Sequence, residues 1–135
     1  PVVSARCVVV PGKDFQKKVG RYQRVAFEAA KQSRRARVPE VLPLTDISKI
    51  GPCAFDLFLA AYEEEQRVSL KSALRQIESP ESVALLIGPE GGFEPAEIGQ
   101  LTEQGAVPVS LGKRILRAET AGMAMLAQVQ YEVEP

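Results

Sequence analysis

Residues 83–93 read VALLIGPEGGF. Val83 to Ile87 is an unbroken apolar run of strand length, the pattern of a strand covered on both faces. Gly88 to Phe93 follows with three glycines and a proline in six residues, which lets a backbone turn sharply and approach a ligand closely. The same composition also serves a tight connection that binds nothing. Pro95 falls where a first helical turn favours proline, Ile98 and Leu101 face inward, and Gly105 ends the helix. Strand, loop and helix in this order make one unit of an α/β fold.

The unit recurs on either side. Downstream, Val107 to Leu111 reads as another strand and Gly112-Lys113-Arg114 as the start of a loop. A final helix is expected from about Glu119 to Tyr131, with Ala121, Met125, Leu126 and Val129 facing the core. Upstream, Phe55 to Ala61 (FDLFLAA) is a nearly continuous apolar run, Tyr62-Glu63-Glu64-Glu65 follows it, and Leu70, Ala73, Leu74 and Ile77 have helical spacing. At the start, Val2 to Val10 reads as a strand closed by Pro11-Gly12. Asp14 can then cap a helix in which Phe15, Val19, Tyr22, Ala26, Ala29 and Ala30 recur on one face, with Lys17, Lys18, Arg21 and Arg24 opposite. Its end is marked by Gln32-Ser33 and a basic cluster closed by Pro39. Pro43, Gly51 and Pro52 punctuate a connector with room for one short helix after Thr45-Asp46. The alternation predicts an α/β domain with a mainly parallel sheet flanked by helices. Ligands of such sheets bind where loops leave the carboxyl ends of strands, here the loops starting at Tyr62, Gly88 and Gly112.

Composition narrows the chemistry. With 135 residues the chain is long enough for one domain and too short for two. Seventeen basic residues balance seventeen acidic ones, so any nucleic-acid contact must come from local patches. Histidine is absent, which removes the commonest general base and zinc ligand and excludes Ser-His and Cys-His nucleophile pairs. Cys7 and Cys53 match no metal spacing, so no metal is expected and both read as reduced, buried thiols of a cytoplasmic protein. No apolar run approaches the length of a membrane span.

Three segments carry candidate chemistry. The glycine loop lacks the GxGxxG spacing, and Arg114 stands where a phosphate loop needs Ser or Thr for magnesium, so its amides better suit the edge of a neutral base such as adenine. In LGKRILRAETA (111–121), Arg114 and Arg117 bracket Ile115 and Leu116, and Glu119 sits where the helix dipole favours an acid. The arginines fit an anion or RNA contact, or simply a solvated helix start. In KQSRRARVPEV (31–41), Arg34, Arg35 and Arg37 fit phosphate binding or the dipole at a helix end. Glu63 to Glu65 read by default as a solvated face; alternatively one member suits a cationic ligand group, and nothing local says which.

Taken in order, ARCVV (5–9), EAAKQSRRARVPEV (28–41), AYEEE (61–65), LLIGPEGGFEPAEI (85–98) and VPVSLGKRILRAETAGMAML (107–126) resemble the signatures of the RsmE family of SPOUT methyltransferases. The resemblance covers essentially the whole chain. It implies a SPOUT-type α/β fold with a deep C-terminal trefoil knot, S-adenosylmethionine as cofactor, and methylation of N3 of a uridine in small-subunit (16S) ribosomal RNA by a homodimer. It also implies a cofactor pocket from Leu59, Ala60 and Tyr62; Ile87, Gly88, Pro89, Glu90, Gly91 and Gly92; and Leu111, Gly112, Ile115, Leu116 and Arg117, with Glu119, Thr120 and Ala121 closing it at the helix start. RNA would meet Arg6, Arg34, Arg35, Arg37 and Arg114. Family members carry an N-terminal PUA-like domain and a first catalytic strand and helix, so residues 1–135 are expected to be the catalytic domain without those parts.

Uridine N3 is an imide nitrogen whose proton must leave for attack. Without histidine, the base is Glu90, Glu119 or solvent, and Arg117 is placed to stabilise the developing imidate. The competing readings are a non-catalytic RNA-binding module of the same fold, a methyltransferase acting on a different RNA, and a nucleotide-phosphate domain, which the missing phosphate-loop residues disfavour.

Overall fold

Leu57 to Ala61 form the middle strand of a three-stranded parallel sheet, and their alternation sets the layers. In the computed structural model, which describes residues 1–9, 12, 14–52 and 54–133, Phe58 and Ala60 pack on one face with Ile47, Leu86, Phe93, Ile98 and Leu101. Leu57 and Leu59 pack on the other with Leu70, Leu74, Val109, Met125 and Val129. Side chains two apart share a face of a strand, so an apolar residue at every position requires cover on both sides.

The elements run in the order β1 (Val2–Val3), α1 (Phe15–Gln32), β2 (Thr45–Asp46), a 3-10 turn (Ile47–Lys49), β3 (Leu57–Ala61), α2 (Leu70–Leu74), β4 (Val83–Ile87), α3 (Pro95–Glu103), β5 (Ala106–Val109) and α4 (Ala118–Val133). The main sheet has the order β4-β3-β5, all parallel. Its register pairs Ala61 with Ile87 and with Val109, so three strands end level and their following loops leave one edge together. Beyond β5 the ladder continues briefly: Ser110 N donates to Val68 O at 2.9 Å and Leu70 N to Ser110 O at 3.0 Å. The 3-10 turn and α3 cover one face of the sheet, α2 and α4 the other.

The expected α/β architecture with a parallel sheet is present, with three local corrections. The first strand is Val2–Val3 only and pairs with β2 outside the main sheet. A turn closed by Cys7 N donating to Ser4 O at 3.2 Å ends it, and Val8 and Val9 are exposed. Cys7 is a half-buried free thiol; Val10, Pro11 and Cys53 lie outside the described residues. Of the apolar face of α1, Ala30 is buried, Phe15, Val19 and Ala26 are half-buried, and Tyr22 and Ala29 are exposed. On α4, Ala121, Met125 and Val129 face the core as expected, whereas Leu126 is exposed. The short helix after Asp46 exists and is capped by it: Asp46 accepts from Ser48 N at 2.8 Å. No helix among the described residues is long and apolar enough to cross a membrane.

Candidate active site

Where the three strands end, the loops after β3, β4 and β5 and the start of α4 enclose a cavity of about 520 Å³. That volume suits a small organic cofactor. Its wall comes from residues 61–63, 87–92, 110–112, 114–119 and 121. Among the residues expected there, Tyr62, Ile87 to Gly92, Leu111, Gly112, Ile115, Leu116, Arg117, Glu119 and Ala121 all reach it, and Arg114 joins them. Leu59 and Ala60 do not. Both are fully buried in the middle of β3, one in each core face, and only Ala61 at the strand end touches the cavity. Thr120 is exposed in the first turn of α4 and stays off the wall. Ala61, Ser110 and Ala118 line the cavity without having been singled out by sequence, and of the acidic run that was, Glu63 is the member that reaches it.

The glycine loop turns sharply, but its glycines mostly make room for protein. A Cβ on Gly88 would lie 3.1 Å from the buried Phe93 ring, one on Gly91 would lie 2.9 Å from Arg6 Cβ, and one on Gly92 would overlap the Glu63 carboxylate. Gly92 also has a φ of +70°, a region that favours glycine. Its amide is not free, because it donates to Pro89 O at 2.9 Å.

The three glutamates after β3 separate into distinct tasks. Glu64 accepts from the Tyr62 hydroxyl at 2.9 Å. Glu65 accepts from the amides of Val68 at 3.0 Å and Arg67 at 2.6 Å, which, Val68 foremost, hold its carboxyl below its usual value. Glu63 alone lines the cavity. The Tyr62 phenol is pushed above its usual value, first by burial and then by the bond to Glu64. It therefore stays neutral at physiological pH and is not the base.

In the third loop, Gly112 has a φ of +123°, and its amide donates to the Ser110 hydroxyl at 3.2 Å. Arg117 stands at the mouth of α4, where its carbonyl accepts from Thr120 N at 2.9 Å and Ala121 N at 2.8 Å. These bonds fix the backbone of Arg117, an exposed residue that lines the cavity. Glu119 follows in the first turn, as the helix dipole favours. Three acids (Glu63, Glu90, Glu119) and two arginines (Arg114, Arg117) thus share one wall. Arg34, Arg35 and Arg37 stand exposed beyond the end of α1, outside the cavity. Arg6 touches the glycine loop from outside it. Among the described residues, no group of three or more acidic, Cys or His side chains is arranged to hold a metal.

Known proteins share this fold. The model of the RNA methyltransferase domain family matches residues 1–130. The ribosomal RNA small subunit methyltransferase E of Bacillus subtilis is 40% identical over 99% of this chain and 55% of its own length. A methyltransferase from Legionella pneumophila, solved with bound SAM, superposes with a TM-score of 0.85 at 30% identity, over 97% of this chain and 53% of its own. The small subunit methyltransferase E of Neisseria gonorrhoeae, bound to S-adenosyl methionine, gives a TM-score of 0.80 at 34% identity, over 97% and 53%. The chain spans about half the length of the relatives it matches. With a family model matched along nearly its entire length and relatives that agree in sequence and in fold, the chain belongs to the RNA methyltransferase domain family, in the RsmE branch.

Proposed function

We propose that this chain is the S-adenosylmethionine-binding catalytic domain of an enzyme that methylates N3 of a uridine in small-subunit ribosomal RNA, working in the cytoplasm. The observation that carries the reading is the cavity at the level ends of β3, β4 and β5, walled by a glycine loop and by acids and arginines together. The residues fit the cofactor. Ile87, Leu111, Ile115 and Leu116 offer apolar surface for an adenine, and acids suit its cationic end.

When bound, S-adenosylmethionine supplies an electrophilic methyl group. The chain's own task is alignment and proton management. Glu90 or Glu119 takes the N3 proton, and Arg117 stabilises the imidate charge that remains on the base. Arg114 at the rim, with Arg34, Arg35 and Arg37, supplies phosphate contacts. Two further parts of the reading rest on the family: a C-terminal trefoil knot through which α4 is threaded, and a homodimer in which α4 meets a partner. Met123 and Leu126, exposed on the side of α4 away from the core, support the second.

Calorimetry with S-adenosylmethionine, S-adenosylhomocysteine and ATP is expected to show binding of the two sulfur ligands and not of ATP. Binding of neither sulfur ligand overturns the reading. A methylation assay on ribosomal RNA and on 30S particles, with the modified base mapped, tests the target. In that assay Arg117→Ala is expected to cut turnover far more than cofactor affinity, and equal losses in both would remove Arg117 from the chemistry.

A further inference from the structure

The glycine loop is gripped from outside the cavity by the turn that follows β1. Arg6 Nη1 donates to Gly91 O at 3.3 Å, and its Nε lies 3.8 Å from the Glu94 carboxylate at the start of α3. One residue earlier, Ala5 N donates to Glu97 Oε1 at 2.8 Å, while Glu97 Oε2 accepts from Glu94 N at 2.9 Å. A single carboxylate thus ties the turn to the first turn of α3. The approach is close: a Cβ on Gly91 would sit 2.9 Å from Arg6 Cβ and 3.0 Å from the Arg6 carbonyl oxygen.

These contacts meet on one peptide plane. The unit joining Gly91 to Gly92 has its carbonyl held by Arg6 and its amide held by Pro89 O at 2.9 Å. Gly91 and Gly92 both line the cavity, and Arg6 does not. Glycine peptides rotate easily, so a plane fixed at both ends presents a defined wall, whereas one fixed at a single end does not. We propose that Arg6 is a positioning residue for the cofactor loop, acting through Gly91, and is not an RNA contact. The proposal rests on the reading of the cavity as a cofactor site. A forked guanidinium is needed because one donor goes to Gly91 O while another faces Glu94.

The test separates cofactor from RNA by measuring S-adenosylhomocysteine binding without RNA, and then KM and kcat with ribosomal RNA. Arg6→Ala is expected to weaken S-adenosylhomocysteine about tenfold, as for loss of a charge-assisted bond. KM for S-adenosylmethionine should rise by a similar factor, with kcat at saturating cofactor and KM for RNA unchanged. Arg6→Lys keeps the charge and one donor, and should show an intermediate loss of cofactor affinity with an unchanged KM for RNA. That variant carries the test if Arg6→Ala does not fold. Unchanged cofactor affinity in the variants, or a raised KM for RNA in their place, overturns the proposal while leaving the cofactor site intact. Failure of the unsubstituted protein to bind S-adenosylhomocysteine overturns the cofactor reading itself, and this proposal with it.

Discussion

Gly92 combines two constraints that a longer side chain meets poorly. Its φ is +70°, and a Cβ there would overlap the Glu63 carboxylate and lie 2.8 Å from Glu63 Cδ. The backbone penalty is about 1 kcal/mol for a residue with a Cβ, and displacing Glu63 moves the one glutamate of its run that lines the cavity. Gly92→Ala is therefore expected to lose about 1–2 kcal/mol of stability, read by urea denaturation, and to weaken S-adenosylhomocysteine binding by calorimetry. Removing the Glu63 side chain as well should restore part of the lost stability, since only the φ strain then remains. A double variant no more stable than the single one would mean that the overlap is harmless. At this scale the sequence was half legible. GPEGGF marked the loop and contained Phe93, which packs at Gly88, but Arg6 and Glu63, which pack at Gly91 and Gly92, come from two distant segments. Likewise EEE gave three equal acids, and only their partners, the Tyr62 hydroxyl and the Arg67 and Val68 amides, told them apart.

Helix α1 ends in a way its sequence does not suggest. Arg35 N donates to Ala30 O at 2.9 Å and Arg34 N to Lys31 O at 3.1 Å, the paired bonds of a Schellman motif. The left-handed position of that motif normally belongs to glycine, yet Arg34 occupies it with a φ of 56°. A side chain kept at such a cost suggests a use outside folding, here the phosphate contact assigned to the cluster. Arg34→Gly is expected to raise stability by about 0.5–1 kcal/mol in denaturant unfolding while lowering affinity for ribosomal RNA. If stability falls instead, the arginine is there for the fold. The elements themselves were more legible than their faces. VALLI and the segment from Pro95 lie where their apolar runs and proline indicate, because both are decided within a few residues. The spacing of Phe15, Val19, Tyr22 and Ala26 correctly predicted a helix and carried no information on how far its face is covered. Periodicity states that a face is apolar and not that anything covers it.

Across the whole molecule, α4 has a core side of Ala121, Met125 and Val129 and an outer side on which Met123 and Leu126 are 69% and 47% exposed. Exposed apolar residues on a helix that also walls the cavity fit a contact with a second copy. Because the two sides are distinct, Met123→Glu with Leu126→Glu should leave the fold melting cooperatively and convert a dimer, measured by light scattering, to a monomer. A double variant that remains dimeric would exclude this helix as the interface. The sequence by itself determined the order of strands and helices apart from the two-residue β2, the parallel sheet and the two loops at Gly88 and Leu111, because local periodicity and turn chemistry decide these. Tertiary structure alone decided that β3 lies between β4 and β5, that Ala61, Ile87 and Val109 end level, and that Leu59 and Ala60 are core while Glu63 and Ser110 are wall. Those outcomes depend on strand register and on contacts between residues tens of positions apart. No short stretch of chain contains them.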